Sequence, residues 1–200
     1  MTQLQLPDLE KFICLLHQVQ RTKRMAFRPG ETEKSNTAEH TFELTLMCWY
    51  IAQVENLNLN HEKILKYALA HDIIEAYSGD TPAYDIEGQK TKVVREHAAL
   101  EKIRSEYLEF PELISIIEEY ESKSTPESLF VYATDKILDP LGASCDTDVS
   151  HFKQGNVTYQ EMRTYKDSKI DRHSTIKKYW GMLCIKLEQN LDFYFANKKE

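Results

Sequence analysis

Apolar residues return at three- and four-residue intervals along almost all of this chain, a spacing that predicts helices rather than strands. Leu9, Phe12, Ile13, Leu16 and Val19 make the first stripe, behind Pro7-Asp8, a suitable helix start. A polar loop is expected at roughly 25–36, with Pro29-Gly30 as its breaker. Asn36 can cap the next helix, with Glu39 three residues on as reciprocal partner, and that helix runs to about Glu55. Asn60 caps a third, which continues through KILKYALAHDIIEAYSGD and ends near Ser78-Gly79. After a loop at 80–88 containing Pro82 and Gly88, a charged helix is expected at roughly 89–108, with Val93, Ala99, Leu100 and Ile103 as its apolar positions. Pro111 opens a short helix to 122, and Thr125-Pro126-Glu127 reads as cap, first helical position and first-turn acid. A loop around 145–157 contains Gly155, and Thr158-x-x-Glu161 is a capping box for a further helix. The last helix, roughly 173–196, sets Ile176, Tyr179, Trp180, Leu183, Leu187 and Leu191 on one face. Phe42, Met47, Trp49 and Tyr50 of the second helix are expected in the core. With no alternating strand and no repeat, the expected fold is all-α, one domain over 1–200 with no internal linker.

Composition leaves that picture in place and narrows the partners. A chain of 200 residues with 42% apolar and 28% charged positions can bury a core in one domain. The net charge of -7 argues against nonspecific binding to duplex nucleic acid, which needs a basic face. It leaves room for a small anionic substrate, because a metal and one or two arginines make a local positive site. Cys14, Cys48, Cys145 and Cys184 are far apart, with no C-x-x-C, so no thiolate zinc site is readable and a reduced cytoplasmic setting fits. The apolar run FICLL is not a signal peptide, and LTLMCWYIA is too short to span a bilayer.

The chemistry concentrates at His71 and Asp72. Side by side in an apolar helical stretch, they are costly to bury unless something pairs with them. A divalent metal is the natural partner for imidazole and carboxylate together. His40 opens another apolar helix and Asp135 sits inside a third, so His40, His71, Asp72 and Asp135 can converge on one ion. Glu75 falls one turn beyond the pair, on the same expected helical face, and Asp80 follows just past the helix end. Two carboxylates in unlike surroundings suit acid/base work: Glu75 to orient or deprotonate water, Asp80 to donate to a leaving oxygen.

In that order, His40, His71-Asp72 and Asp135, the chain resembles the HD-domain metal-dependent phosphohydrolases, over about residues 9–140. The string His71-Asp72-x-x-Glu75-x-x-x-x-Asp80, with Asn36, Ala38 and Glu39 before His40, looks like the 5′-deoxynucleotidase branch. The resemblance implies a helical HD-domain bundle whose metal-site core is followed by C-terminal helices at about 158–196. It implies one divalent ion (Mn, Co, Ni, Fe, Zn or Mg), catalytic roles for Glu75 and Asp80, and a homodimer for which the apolar last helix is a candidate interface. It also implies a phosphate-binding arginine after the first helix, and spacing favours Arg24, then Arg28, with Lys90, Lys92 and Arg95 weaker candidates. In that branch the arginine is followed by a tryptophan; here Met25 follows, which leaves the sugar preference open. His97 is the one histidine between Asp72 and Asp135 and reads as solvated, so one metal is expected rather than two. The implied activity is hydrolysis of a (deoxy)nucleoside 5′-monophosphate. The alternatives are hydrolysis of triphosphates or another phosphate ester, and a non-catalytic helical module with a structural metal.

Overall fold

Side-chain caps set five of the eleven helix starts among the described residues. The computed structural model describes residues 4–28, 31–145 and 150–198. Its helices are α1 (Leu6–Arg21), α2 (Thr37–Val54), α3 (His61–Ala70), α4 (Glu75–Ser78), α5 (Ile86–Glu106), α6 (Pro111–Ser122), α7 (Pro126–Ala143), α8 (His151–Gln154), α9 (Tyr159–Ile170), α10 (Ser174–Glu188) and α11 (Leu191–Tyr194). Asn36 accepts from the Glu39 amide at 3.0 Å while the Glu39 carboxylate accepts from the Asn36 amide at 3.0 Å. Thr158 and Glu161 make the same reciprocal pair. Asn60 and Thr125 cap α3 and α7. The all-α expectation holds.

Several local expectations do not. Part of the 25–36 loop is an antiparallel hairpin, β1 (Lys23–Phe27) and β2 (Lys34–Asn36), with Lys23 opposite Asn36 and Phe27 opposite Lys34. Its strands are short, basic and half exposed, so no apolar alternation announced them; the Pro29-Gly30 breaker lies outside the described residues. The charged helix begins three residues early because Asp85 caps it, accepting from the Gly88 amide at 3.0 Å. Gly88 is therefore no breaker: a Cβ there would collide with the Asp85 carboxylate. A single turn, α8, occupies the expected 145–157 loop, and the last helix breaks at Gln189-Asn190. Val93 is exposed, and so are Leu9 and Ile13 of the first stripe, where Leu15 and Val19 carry the burial.

On α2 the aromatic residues expected inside are outside. Phe42, Trp49 and Tyr50 are 64%, 52% and 64% exposed, whereas His40, Leu44, Cys48 and Ala52 are buried. The helix is apolar nearly all round, so its sequence does not say which face turns inward; packing against α3 and α7 chooses the 40-44-48-52 face.

The core divides in two. One part gathers Leu44, Cys48, Tyr67, Ala68, Phe130, Ile137, Met162 and Ile176 around α7; the other gathers Leu15, Val19, Ala70, Ile73, Ile74, Ile103 and Ile117 between α1, α5 and α6. The chain crosses from the first to the second at His71 and Asp72, and there the expected continuous helix breaks. Amides of Ile73, Glu75, Ala76 and Tyr77 bond three residues back, to carbonyls of Ala70, Asp72, Ile73 and Ile74, at 3.0–3.2 Å. The tighter winding re-aims Glu75 relative to His71, so the one-face relation of an unbroken helix does not apply.

Helix α7 carries an interior proline, Pro140, which has no amide to give the Lys136 carbonyl four residues back. The buried Lys166 ammonium of α9 donates to that carbonyl at 2.8 Å, tying α9 to the helix that bears Asp135.

Candidate active site

Four of the residues singled out by sequence meet at the core crossing. His40, His71 and Asp72 offer ligand atoms all within 4.8 Å of one another. His71 Nε2 lies 2.9 Å from Asp72 Oδ2, His40 Nε2 lies 3.9 Å from the same oxygen, and Asp135 Oδ1 lies 3.0 Å from His40 Nε2. Donors roughly 2.1 Å from one ion stand roughly 3 Å apart, so this set has the spacing of a ligand shell.

The His71 ring tests the fit. Its Nδ1–H donates to the Ala68 carbonyl at 2.8 Å, and although burial pulls the ring's pKa down, the Asp72 charge beside Nε2 raises it. That nitrogen is buried and makes no hydrogen bond, although a carboxylate oxygen stands beside it. An imidazole nitrogen and a carboxylate oxygen that stand together without a hydrogen bond can both turn to one cation, which would displace the ring proton, and the residues present therefore fit a divalent ion. Burial lowers the His40 pKa, Arg24 lowers it further, and the imidazole is kept neutral, as a metal ligand must be. Burial alone would raise the acids Asp72 and Asp135. Around Asp72 the nearby His71 outweighs it, and around Asp135 Lys136 and the two histidines do, so both stay ionised.

Glu75 is buried at the start of α4, where Thr37 Oγ1 donates to its Oε2 at 2.9 Å. Burial, then the charges of Asp72 and Asp80, push its pKa well above the ordinary carboxylate range. Asp80 is raised as well, by burial first and by Asp72, against the opposing pull of Arg24. Arg95 pins the Asp80 segment, donating to the Ser78 carbonyl at 2.5 Å and to Thr81 Oγ1 at 2.7 Å.

The two arginines part company. Arg24, on β1, is 3.6 Å from Asp72 Oδ2 and 3.2 Å from Asp139 Oδ1. Arg28 is held away from the metal cluster by Glu39 at 2.7 Å and Glu33 at 2.9 Å. A cavity of about 440 Å³ brings Arg24, Asp72, Glu75, Asp80, Lys92 and Asp135 together. A larger one, about 830 Å³, opens beyond Arg24; Arg28 lines it, but Asp72, Glu75, Asp80 and Asp135 do not. Lys90 pairs with Glu87 and His97 is exposed, both away from the cavity.

Sequence reasoning passed over Lys136, Asp139, His151 and Lys166, which line the same cavity. Asp139 had a signal: it falls four residues after Asp135, on one face of α7. Lys136 Nζ stands 2.5 Å from Asp135 Oδ2. His151 opens the single turn α8, and nothing in its sequence neighbourhood marks it; burial lowers its pKa to about 4.

A family model described as HD domain matches residues 16–180. The 5′-deoxynucleotidase HDDC2 of Homo sapiens is 28% identical over 147 residues, covering 72% of this chain and 71% of the relative. The 5′-deoxynucleotidase hdd1 of Schizosaccharomyces pombe is 29% identical over 135 residues, 62% of this chain and 65% of the relative. The crystal structure of a predicted metal-dependent phosphohydrolase from Magnetospirillum magnetotacticum superposes with a TM-score of 0.81 at 21% identity, over 96% of this chain and 98% of that one, which shows a shared fold. The PH0347 protein of Pyrococcus horikoshii gives 0.65 at 27% identity, over 89% of this chain and 97% of that one. A helical bundle with its histidines and acids gathered at one crossing, matched by the family model over most of its length, places this chain in the HD-domain family of metal-dependent phosphohydrolases.

Proposed function

We propose that the protein is a phosphomonoesterase for nucleoside 5′-monophosphates, using one divalent ion held by His40, His71, Asp72 and Asp135. The observation that carries this reading is the unpartnered Nε2 of buried His71, facing Asp72 in a cavity that also contains two proton-retaining acids. When bound, the ion polarises the phosphoryl group and makes the attacking water more acidic.

The chain's own groups do the rest. Glu75, whose pKa burial and the neighbouring aspartates raise, is a stronger base than an ordinary carboxylate, and it takes the proton of the attacking water. The water oxygen forms the new bond to phosphorus as the ester P–O bond breaks. Asp80 keeps its proton longer than an ordinary aspartate and delivers it to the departing sugar oxygen. Arg24 is the phosphate ligand, preferred over Arg28 because it borders the acids while Arg28 is committed to glutamates. A closed structural metal site would need neither an adjoining cavity nor Glu75 and Asp80 beside it.

The names of the human and yeast relatives support a 5′-deoxynucleotide as substrate. Met25, beside Arg24 on the cavity wall, makes ribose against deoxyribose a question for assay. Homodimerisation fits the exposed apolar stripe of Phe42, Leu46, Trp49, Tyr50 and Val54 on α2, together with Met182 and Ile185 on α10. Four free cysteines fit a reducing cytoplasm.

The test is phosphate release by metal-stripped protein from ribo- and deoxyribonucleoside mono- and triphosphates, with Mn²⁺, Co²⁺ or Mg²⁺ restored. The expected result is release from monophosphates that is lost in Asp72→Ala and Glu75→Ala. Ion binding that needs Asp72, without release from any substrate, would overturn the enzymatic reading in favour of a structural ion.

A further inference from the structure

The cavity that holds the acids has a second end of different chemistry. Beyond Asp80 the lining turns apolar and aromatic, with Tyr84, Phe152, Val157 and Tyr165. The Tyr84 and Tyr165 rings stand 5.5 Å apart between centroids and are tilted by 53°. No third ring fits between them, since stacking on both sides needs about 3.5 Å on each. They form a corner instead, offering a face and an edge. The Lys169 ammonium lies against one face of Tyr165, which confines stacking to the other.

The Tyr84 hydroxyl is buried and, among the described residues, has no hydrogen-bond partner. A buried O–H without a partner is destabilising, and this one can donate one bond and accept another. Both rings are fixed relative to the acids. Tyr84 is four residues from Asp80, in the segment that Arg95 and Gln89 pin through Ser78, Thr81 and the Pro82 carbonyl. Tyr165 precedes Lys166, which is bonded to α7 at the Lys136 carbonyl.

We propose that Tyr84 and Tyr165 receive the heterocyclic base of the substrate, Tyr165 by ring contact and Tyr84 through its ring edge. This rests on the nucleotidase reading and assigns the residues that separate a nucleotide from a plain sugar phosphate. A phosphate ester lacking a flat ring would fill the charged part of the cavity and leave the aromatic corner unused. A cavity of about 440 Å³ is within the range that encloses a compact organic ligand.

The experiment compares adenosine 5′-monophosphate with ribose 5-phosphate on the metal-loaded wild type, Tyr84→Phe and Tyr165→Ala, reading kcat and KM separately. Tyr84→Phe keeps the ring and the packing, so it guards against a folding artefact in Tyr165→Ala. Expected are a rise of about tenfold or more in KM for the nucleotide in Tyr165→Ala, little change in Tyr84→Phe, which keeps the ring, and unchanged KM for ribose 5-phosphate in both. Equal losses on the two esters, or an unchanged nucleotide KM in both variants, would overturn the assignment. If neither ester releases phosphate with any ion, the nucleotidase reading has failed by itself. The corner is then judged by calorimetric titration with adenosine: binding weakened by Tyr165→Ala upholds it, and no binding to the wild type overturns it.

Discussion

The two faces of α2 invert the usual sorting of residues. One buries a histidine and a threonine beside Leu44, Cys48 and Ala52; the other holds Phe42, Leu46, Trp49, Tyr50 and Val54 against solvent. Burial of His40 is tolerated because ligand geometry and neighbouring charges satisfy it, and a contiguous exposed apolar stripe marks a surface that something else covers. Side-chain polarity alone therefore assigns neither face. On the inner face the deciding quantity is what each polar atom is bonded to, and on the outer face it is what a second molecule would cover.

The largest effect expected on this comparison comes from His40→Ala. Loss of an ion ligand should cut kcat/KM on the order of 10³-fold, several kcal/mol of transition-state stabilisation, with ion binding lost in calorimetry. Trp49→Ser on the outer face of the same helix should leave both in place. If Trp49→Ser abolished ion binding as well, the two faces would not be separable. Next is a pair of identical substitutions: Leu44→Ala, at a position with 0% exposure, should cost about 2–5 kcal/mol in denaturant unfolding. Leu46→Ala, 45% exposed, should stay within about 0.5 kcal/mol if measured on monomer. Adding charge to the stripe with Trp49→Glu and Val54→Glu should shift sedimentation from dimer to monomer with kcat retained; an unchanged mass would remove the stripe as the interface.

The smallest effect concerns Thr37, whose hydroxyl donates to Glu75 and so lowers a pKa that burial and two aspartates raise. Thr37→Val removes that donor, so Glu75 should hold its proton to still higher pH. The acid limb of the kcat–pH profile should move upward, with a loss of a few-fold at neutral pH. The stability sign follows: an acid raised in the folded state makes folding less favourable as pH climbs from its unfolded pKa to its folded one. In metal-free protein, Thr37→Val should steepen that decline, and thermal melts across the acidic to neutral range would show it.

Much of this molecule was legible because its signals are local. Capping at Asn36, Asn60, Thr125 and Thr158 involves residues within three positions of each other, and those helices start as expected. The four expected ligands could be named because histidines and acids stand out in apolar helices; the fold gathers His40, His71 and Asp72 within 4.8 Å and sets Asp135 3.0 Å from His40. Features that depend on distant partners stayed hidden. The break after Ala70 exists because the chain passes from one core to the other, which no window around residue 71 reveals. The hairpin at 23–36 has no apolar period to detect. Asp139, Lys166, Tyr84 and Tyr165 acquire meaning only through each other, across separations that sequence spacing does not encode. Spacing puts Arg24 ahead of Arg28 in the sequence, and their different carboxylate neighbours separate them further.

The bond from Lys166 to the Lys136 carbonyl bears on the order in which the chain is made. Synthesis delivers His40, His71, Asp72 and Asp135 first, yet the helix carrying Asp135 has a gap in its backbone ladder at Pro140. The group that fills the gap, Lys166, is encoded 30 residues after Lys136, whose carbonyl it bonds. A nascent chain halted before α9 would hold every ligand and still lack the internal tie that steadies one of them. The site becomes whole only once α9 has been made and has left the ribosome.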